Sequence, residues 1–193
     1  MTALVQPQPF IAVEEYLEGE KLSEVRHEYV DGYVYAMAGA SDDHNRIAIN
    51  ILGELREVLR GKPCEPFGAD MKLRIGESNS FYYPDAMVAC DKTDMDKYFR
   101  EKPTVIFEVL SPDTARVDQR EKRFAYALIP SLKTYVIVSQ EKQELTIIRR
   151  GKAGQWNTEV LAGPQEILKL SELKVEIPFS RIYERTSIAR QKK

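Results

Sequence analysis

Glu108 is the only charge in Thr104-Val105-Ile106-Phe107-Glu108-Val109-Leu110, a run that otherwise reads as a buried strand. Burying a lone carboxylate costs several kcal/mol, so the group needs a partner, a proton or a cation. Its structural alternative is to sit at a strand end and accept backbone hydrogen bonds. Asp85 repeats the pattern, following Pro84 and preceding Ala86-Met87-Val88-Ala89. Pro84 demotes that end of the strand to an edge or a bulge, where a side chain can be re-aimed; capping a turn is the structural alternative. A carboxylate on each of two strands suits Mg²⁺, or Mn²⁺ as its surrogate, because such ions take oxygen ligands and use one or two protein carboxylates with waters and substrate phosphate. Lys122 is the candidate third member, able to orient or activate a water. It forms an i, i+4 pair with Tyr126 on one flank of a predicted helix, beside a Val117, Phe124 and Leu128 stripe expected to face the sheet. Taken alone, Lys122 sits in a mixed charge run over 113–123, and such runs are usually solvated.

Other chemistries lack their motifs. There is no G-x-x-x-x-G-K-[ST] and no G-x-G-x-x-G, so nucleotide hydrolysis and dinucleotide binding are unsupported. The nearest approach to G-x-S-x-G, Gly76-Glu77-Ser78-Asn79-Ser80, fails at its last position. Two histidines and two distant cysteines offer no C-x₂₋₄-C pair for zinc.

Positioning those carboxylates requires a sheet with helices on it. Residues 13–20 read as a short acidic helix ended by Gly19. Asp31-Gly32 between apolar runs predicts a hairpin over 26–37. Ser41 caps a predicted helix in which Ile47, Ile51 or Leu52, Leu55 and Leu59 recur, closed by Gly61 and Pro63. Met71, Leu73 and Ile75 alternate with Asp70, Lys72 and Arg74, a half-exposed strand. Residues 81–90, 104–110, 133–139, 143–149 and 155–161 read as further strands, with a helix from Asp118 to Ile129 between two of them. That order predicts an α/β fold: a mixed sheet with helices packed against it.

The 193 residues carry 28 Lys plus Arg and 30 Asp plus Glu, a formal charge of -2, with 43% hydrophobic residues. That is ordinary globular composition for one domain. Near-neutrality argues against nonspecific coating of nucleic acid while leaving room for a local phosphate-binding face. Apolar runs fall far short of the roughly 20 residues of a membrane helix, and MTALVQPQPF lacks the pattern of a secretion signal. Cys64 and Cys90 are read as no disulfide framework, which places the chain in the reducing cytoplasm. The domain is assigned to residues 11–185, between an N-terminal tail (1–10) and a basic C-terminal tail (186–193).

The ordered set His27-Glu28-Tyr29-Val30-Asp31-Gly32, Ser41 through His44, Tyr83-Pro84-Asp85, Phe107-Glu108-Val109-Leu110-Ser111-Pro112, and Asp118 to Lys122 with Tyr126 and Tyr135 resembles the PD-(D/E)XK nuclease superfamily. More closely it is similar to the restriction-endonuclease-like family called Uma-two. The resemblance implies a restriction-endonuclease-like core, with an N-terminal hairpin and C-terminal strands. It makes Asp85 and Glu108 the metal ligands and Lys122 the basic residue, and it implies that Glu28 supports the site; on an enzymatic reading, the Val109 carbonyl could join the two ligands. The Lys that the superfamily pattern sets two residues after the Glu is here Leu110, so the base comes from Lys122 or is lost.

On this reading the chain is a Mg²⁺-dependent endonuclease acting on nucleic acid, DNA foremost. His44 could contact a phosphate, and Arg116, Arg120 and Arg123 could meet the nucleic-acid backbone, which fixes register without reading sequence. With no appended recognition domain, specificity must come from loops or from a homodimer. The competing readings are a nucleic-acid-binding or assembly protein that has lost its chemistry, and a structural oligomer built on Phe81-Tyr82-Tyr83.

Overall fold

Asp31 and Gly32 both take positive φ, 44° and 92°, the geometry of a tight two-residue turn. The Phe10 ring lies over Gly32 where a Cβ would stand. The strands joined are β1 (His27–Val30) and β2 (Tyr33–Ala36). The computed structural model describes residues 10–110 and 118–190, the side chains of 118–120 and of 190 excepted. Before the hairpin, α1 (Val13–Leu22) runs through Gly19 instead of ending there. Gly costs a helix only about 1 kcal/mol, and contacts made by Glu20 hold the final turn. Ser41 caps α2 (Asp42–Val58) by accepting the His44 N–H, and Ile47, Ile51 and Leu55 form its buried stripe.

The strands that follow are β3 (Glu65–Gly68), β4 (Lys72–Ile75), β5 (Ser80–Tyr82), β6 (Ala86–Ala89), β7 (Phe99–Arg100) and β8 (Pro103–Leu110). After α3 (Asp118–Ala127) come β9 (Thr134–Ser139), β10 (Glu144–Arg150), β11 (Trp156–Ala162), β12 (Ile167–Leu170), β13 (Val175–Pro178) and α4 (Phe179–Ile182). They form a six-stranded sheet in the order β11-β10-β9-β8-β6-β3, a five-stranded sheet β2-β1-β5-β4-β7, and the β12-β13 hairpin. The fold is the expected mixed α/β architecture, divided into two principal sheets. The run 81–90, expected as one strand, breaks at Pro84 into β5 and β6, which belong to different sheets.

β8 is buried on both faces, which explains its unbroken apolar sequence. Val105, Phe107 and Val109 pack with α2, α4 and the β12-β13 hairpin. Ile106 packs on the other side with α3 and with Leu73, Ile75 and Tyr82 of the second sheet. β8, α3 and β9 form a parallel crossover unit.

Several expectations are corrected. Phe124 and Leu128 are 68% and 47% exposed; α3 buries Ala125 and Tyr126 instead, with Ile129 buried just beyond its end, because the helix is rotated to present Tyr126 to the sheet. Val117 lies outside the described residues. Lys72 is only 8% exposed, its ammonium lying over the Tyr83 ring. Phe81, Tyr82 and Tyr83 are buried, which removes the basis for an oligomer built on them. Thr186 and Ile188, assigned to a tail, are buried too, and the Ser187 N–H donates to Asp43 on α2. Cys64 and Cys90 are bonded to each other: the Glu65↔Ala89 pairing of β3 with β6 sets them opposite, a juxtaposition invisible in their 26-residue separation. No helix among the described residues is long and apolar enough to cross a membrane.

Candidate active site

β6 and β8 are antiparallel, with Ala86 opposite Phe107. One further step sets Asp85 opposite Glu108, on the face occupied by Met87 and Ile106. Directly opposed residues in such a pair have Cβ atoms about 5 Å apart. At Pro84 the chain crosses from one sheet to the other, so β6 ends there, and the Val109 N–H donates to Asp85 Oδ2 at 2.7 Å. Val109 thus contributes its N–H to the site, and its backbone also hydrogen-bonds the His44 side chain. His44, in the first turn of α2, brings Nε2 to 3.4 Å from the same oxygen. This is the carboxyl end of β8 and β9, where ligands commonly bind in α/β sheets.

Lys122 projects inward from α3. Its Nζ lies 2.7 Å from Glu28 Oε1 and 3.4 Å from Glu108 Oε1, with the Lys122 side chain only 12% exposed. The ammonium also lies over the Tyr82 ring, 5.6 Å from its centroid. Tyr126, one turn along, donates its hydroxyl to Glu108 Oε1 at 2.6 Å. Glu28 comes from β1, in the five-stranded sheet. The structure therefore gathers Asp85, Glu108, Lys122, Glu28 and His44 from both principal sheets and two helices. Arg123 goes elsewhere: its Nη2 donates to Thr158 on β11. Arg116 and the Arg120 side chain lie outside the described residues.

Burial pushes the Glu108 carboxyl up to about 7; Lys122 opposes that rise, Asp85 and Glu28 add to it, and the Tyr126 hydrogen bond resists it. The Asp85 carboxylate holds the His44 imidazole above the usual histidine range, against the opposing effect of burial. Burial, with Glu108 beside it, keeps the Tyr126 phenol protonated and a donor. In the sequence Tyr82 stood out only as part of an aromatic stretch suited to an oligomer contact; its place under Lys122 ties it to the site instead.

Two acidic oxygen donors side by side, a cation held by two carboxylates and an imidazole at the same strand ends can engage a phosphate and a hard cation together. The sequence matches the family Uma2, described as "Putative restriction endonuclease", over residues 13–179. The chain belongs to the Uma2 family. Two uncharacterised Synechocystis sp. (strain PCC 6803) proteins are similar to it. One, slr1290, is 34% identical over 78% of this chain and 80% of its own length. The other, sll1609, is 30% identical over 89% of this chain and 99% of its own length. A crystal structure from Anabaena variabilis, titled "a putative nuclease belonging to DUF820", superposes with a TM-score of 0.72 over 90% of this chain and 97% of that one. At 16% identity that match establishes the shared fold. The family and this neighbour thus agree on a nuclease-like fold.

Proposed function

We propose that this Uma2 protein is a metal-dependent endonuclease that hydrolyses phosphodiester bonds in DNA. The observation that carries the reading is the position of Lys122, between Glu28 and Glu108, with Asp85 alongside. Although Leu110 stands where the superfamily pattern has a lysine, a lysine from α3 reaches the same carboxylate.

Asp85 and Glu108 would hold Mg²⁺ or Mn²⁺. Among the described residues no group of three or more His, Cys, Asp and Glu side chains is arranged to enclose an ion. Two carboxylates fit an ion whose other ligands are water and substrate phosphate, and a second positive charge suits a carboxyl raised by burial and, to a lesser degree, by Asp85 and Glu28. When bound, the ion polarises the scissile phosphate and lowers the pKa of a water. Lys122, held by Glu28, orients the attacking water and offsets charge gathering on the phosphate oxygens. Tyr126 fixes the rotamer of Glu108, while the Val109 N–H and His44 Nε2 hold Asp85 in place. The active unit is taken to be a homodimer, since two sites are needed to cut both strands; light scattering should then give twice the 22.2 kDa chain mass.

The test is incubation of plasmid, linear duplex, branched DNA and RNA with wild type, Glu108→Ala and Lys122→Met, with Mg²⁺ or Mn²⁺ and with chelator. Cleavage of DNA that chelator and both substitutions abolish supports the reading. Nucleic-acid binding without cleavage or Mn²⁺ binding overturns it in favour of a catalytically inactive binder.

A further inference from the structure

Behind the active site lies a second buried polar cluster. The Glu20 side chain, on the last turn of α1, is only 4% exposed and lies 2.8 Å from His27 Nδ1 through Oε1. Its Oε2 accepts the Tyr83 hydroxyl at 2.6 Å and the His27 N–H at 3.3 Å. Tyr16 of α1 adds a hydrogen bond from its hydroxyl to the His27 carbonyl at 2.7 Å. Successive strand residues face opposite ways, so His27, with Tyr29, faces α1, while Glu28 faces Lys122. Likewise Tyr83, with Phe81, faces α1, while Tyr82 lies under Lys122. Glu20 therefore grips the rear of the two segments whose front carries the site.

The β1-β5 pairing explains why such a grip is needed. Those strands are paired only at Tyr29↔Phe81 and Val30↔Ser80. Extending the register brings Glu28 opposite Tyr82 and His27 opposite Tyr83, where the ladder has ended. One oxygen of Glu20 spans that gap by accepting from both strands. Tyr83 adjoins Pro84, whose ring fixes φ and restricts the residue before it, so an anchored Tyr83 transmits its position to Asp85. Burial, and then the bond to Glu20, hold the Tyr83 hydroxyl far above its ordinary range, keeping it a donor.

We propose that Glu20 is a positioning residue for the nuclease site: by bridging His27 and Tyr83 it sets the spacing between the strand that carries Glu28 and the crossover that carries Asp85. Its effect on chemistry rests on the nuclease reading, whereas the bridge itself can be read without it.

Two measurements separate these. The Val109 amide, whose acceptor is Asp85, reports the crossover directly by hydrogen exchange, and Mn²⁺ affinity by calorimetry reports the assembled site. In Glu20→Ala the Val109 amide should exchange about tenfold faster and Mn²⁺ affinity should fall severalfold, with the amides of Val136 and Ile147 unchanged. Glu20→Gln, which keeps an acceptor oxygen, should restore most of both. A merely structural role would speed exchange at all these amides together. Unchanged Val109 exchange in Glu20→Ala, or uniform loss of protection, overturns the proposal. Should Glu20→Ala fail to fold, Tyr83→Phe, which removes one hydroxyl, is judged by the same amides. If the wild type binds no Mn²⁺, the nuclease reading fails and the Val109 amide still decides the bridge.

Discussion

Replacing Lys122 by Met removes the largest influence holding Glu108 down against its burial. The ammonium is 3.4 Å from Glu108 Oε1 and largely shielded from solvent. An opposite charge within 4–6 Å lowers a carboxyl by about 1–3 pH units. Glu28 also holds Lys122, so the lower part of that range applies. Glu108 should then move from about 7 to about 8–9 in Lys122→Met. At pH 7 its ionised fraction falls from about one half to about one tenth or less. Carbon-detected NMR of the Glu108 carboxyl across pH 5–10 measures this in the metal-free protein. Because a cation binds the ionised form, the midpoint of the pH dependence of Mn²⁺ affinity should rise by the same interval. A Glu108 midpoint in the variant equal to or below that of the wild type would refute the pairing.

Glu108 also sets a pH dependence of stability opposite to that of most carboxylates. Its folded value, about 7, exceeds the ordinary 4.5, so the folded state binds the proton more tightly and stability falls as pH rises between those values, by at most about 3 kcal/mol. Calorimetric melting of metal-free Glu108→Gln should lose that slope; an unchanged slope assigns it to another group. Asp85→Ala should leave the Val109 N–H without its acceptor, at a cost of about 1–3 kcal/mol in urea unfolding, and abolish Mn²⁺ binding; retained binding removes Asp85 from the ligand set. Cys64→Ser should lower stability by about 3 kcal/mol through loss of a loop constraint, and a urea midpoint insensitive to reductant in the wild type would contradict the bond.

Glu108 stood out in the sequence because a lone charge in an apolar strand has few innocent explanations, and Asp85 because Pro84 announces a break in pairing. The hairpin and the α2 cap were legible for the same local reason: Asp31-Gly32 and Ser41 meet backbone requirements within a few residues of themselves. Lys122 was harder. Its charge run resembles a solvated face, and the Phe124 and Leu128 stripe pointed the helix the wrong way, since periodicity sets a helix's faces without saying which one the sheet will accept. Glu28 entered through the family resemblance; its place in a hairpin, by itself, indicated only a polar strand position. Glu20 gave no sign, being one acid among seven between residues 11 and 31.

The sequence by itself determined the β1-β2 hairpin, the capped helix α2, the longer strands such as β8 with its apolar run, and the two carboxylates that do not belong in such surroundings, because these depend on neighbours within a few residues. Only the tertiary structure decided that Pro84 carries the chain between two sheets and that Cys64 meets Cys90. It alone turned Lys122 toward Glu108 and Glu28 and brought Glu20 behind them both. Those relations depend on β-pairing register and helix rotation, which are settled by packing across the whole chain.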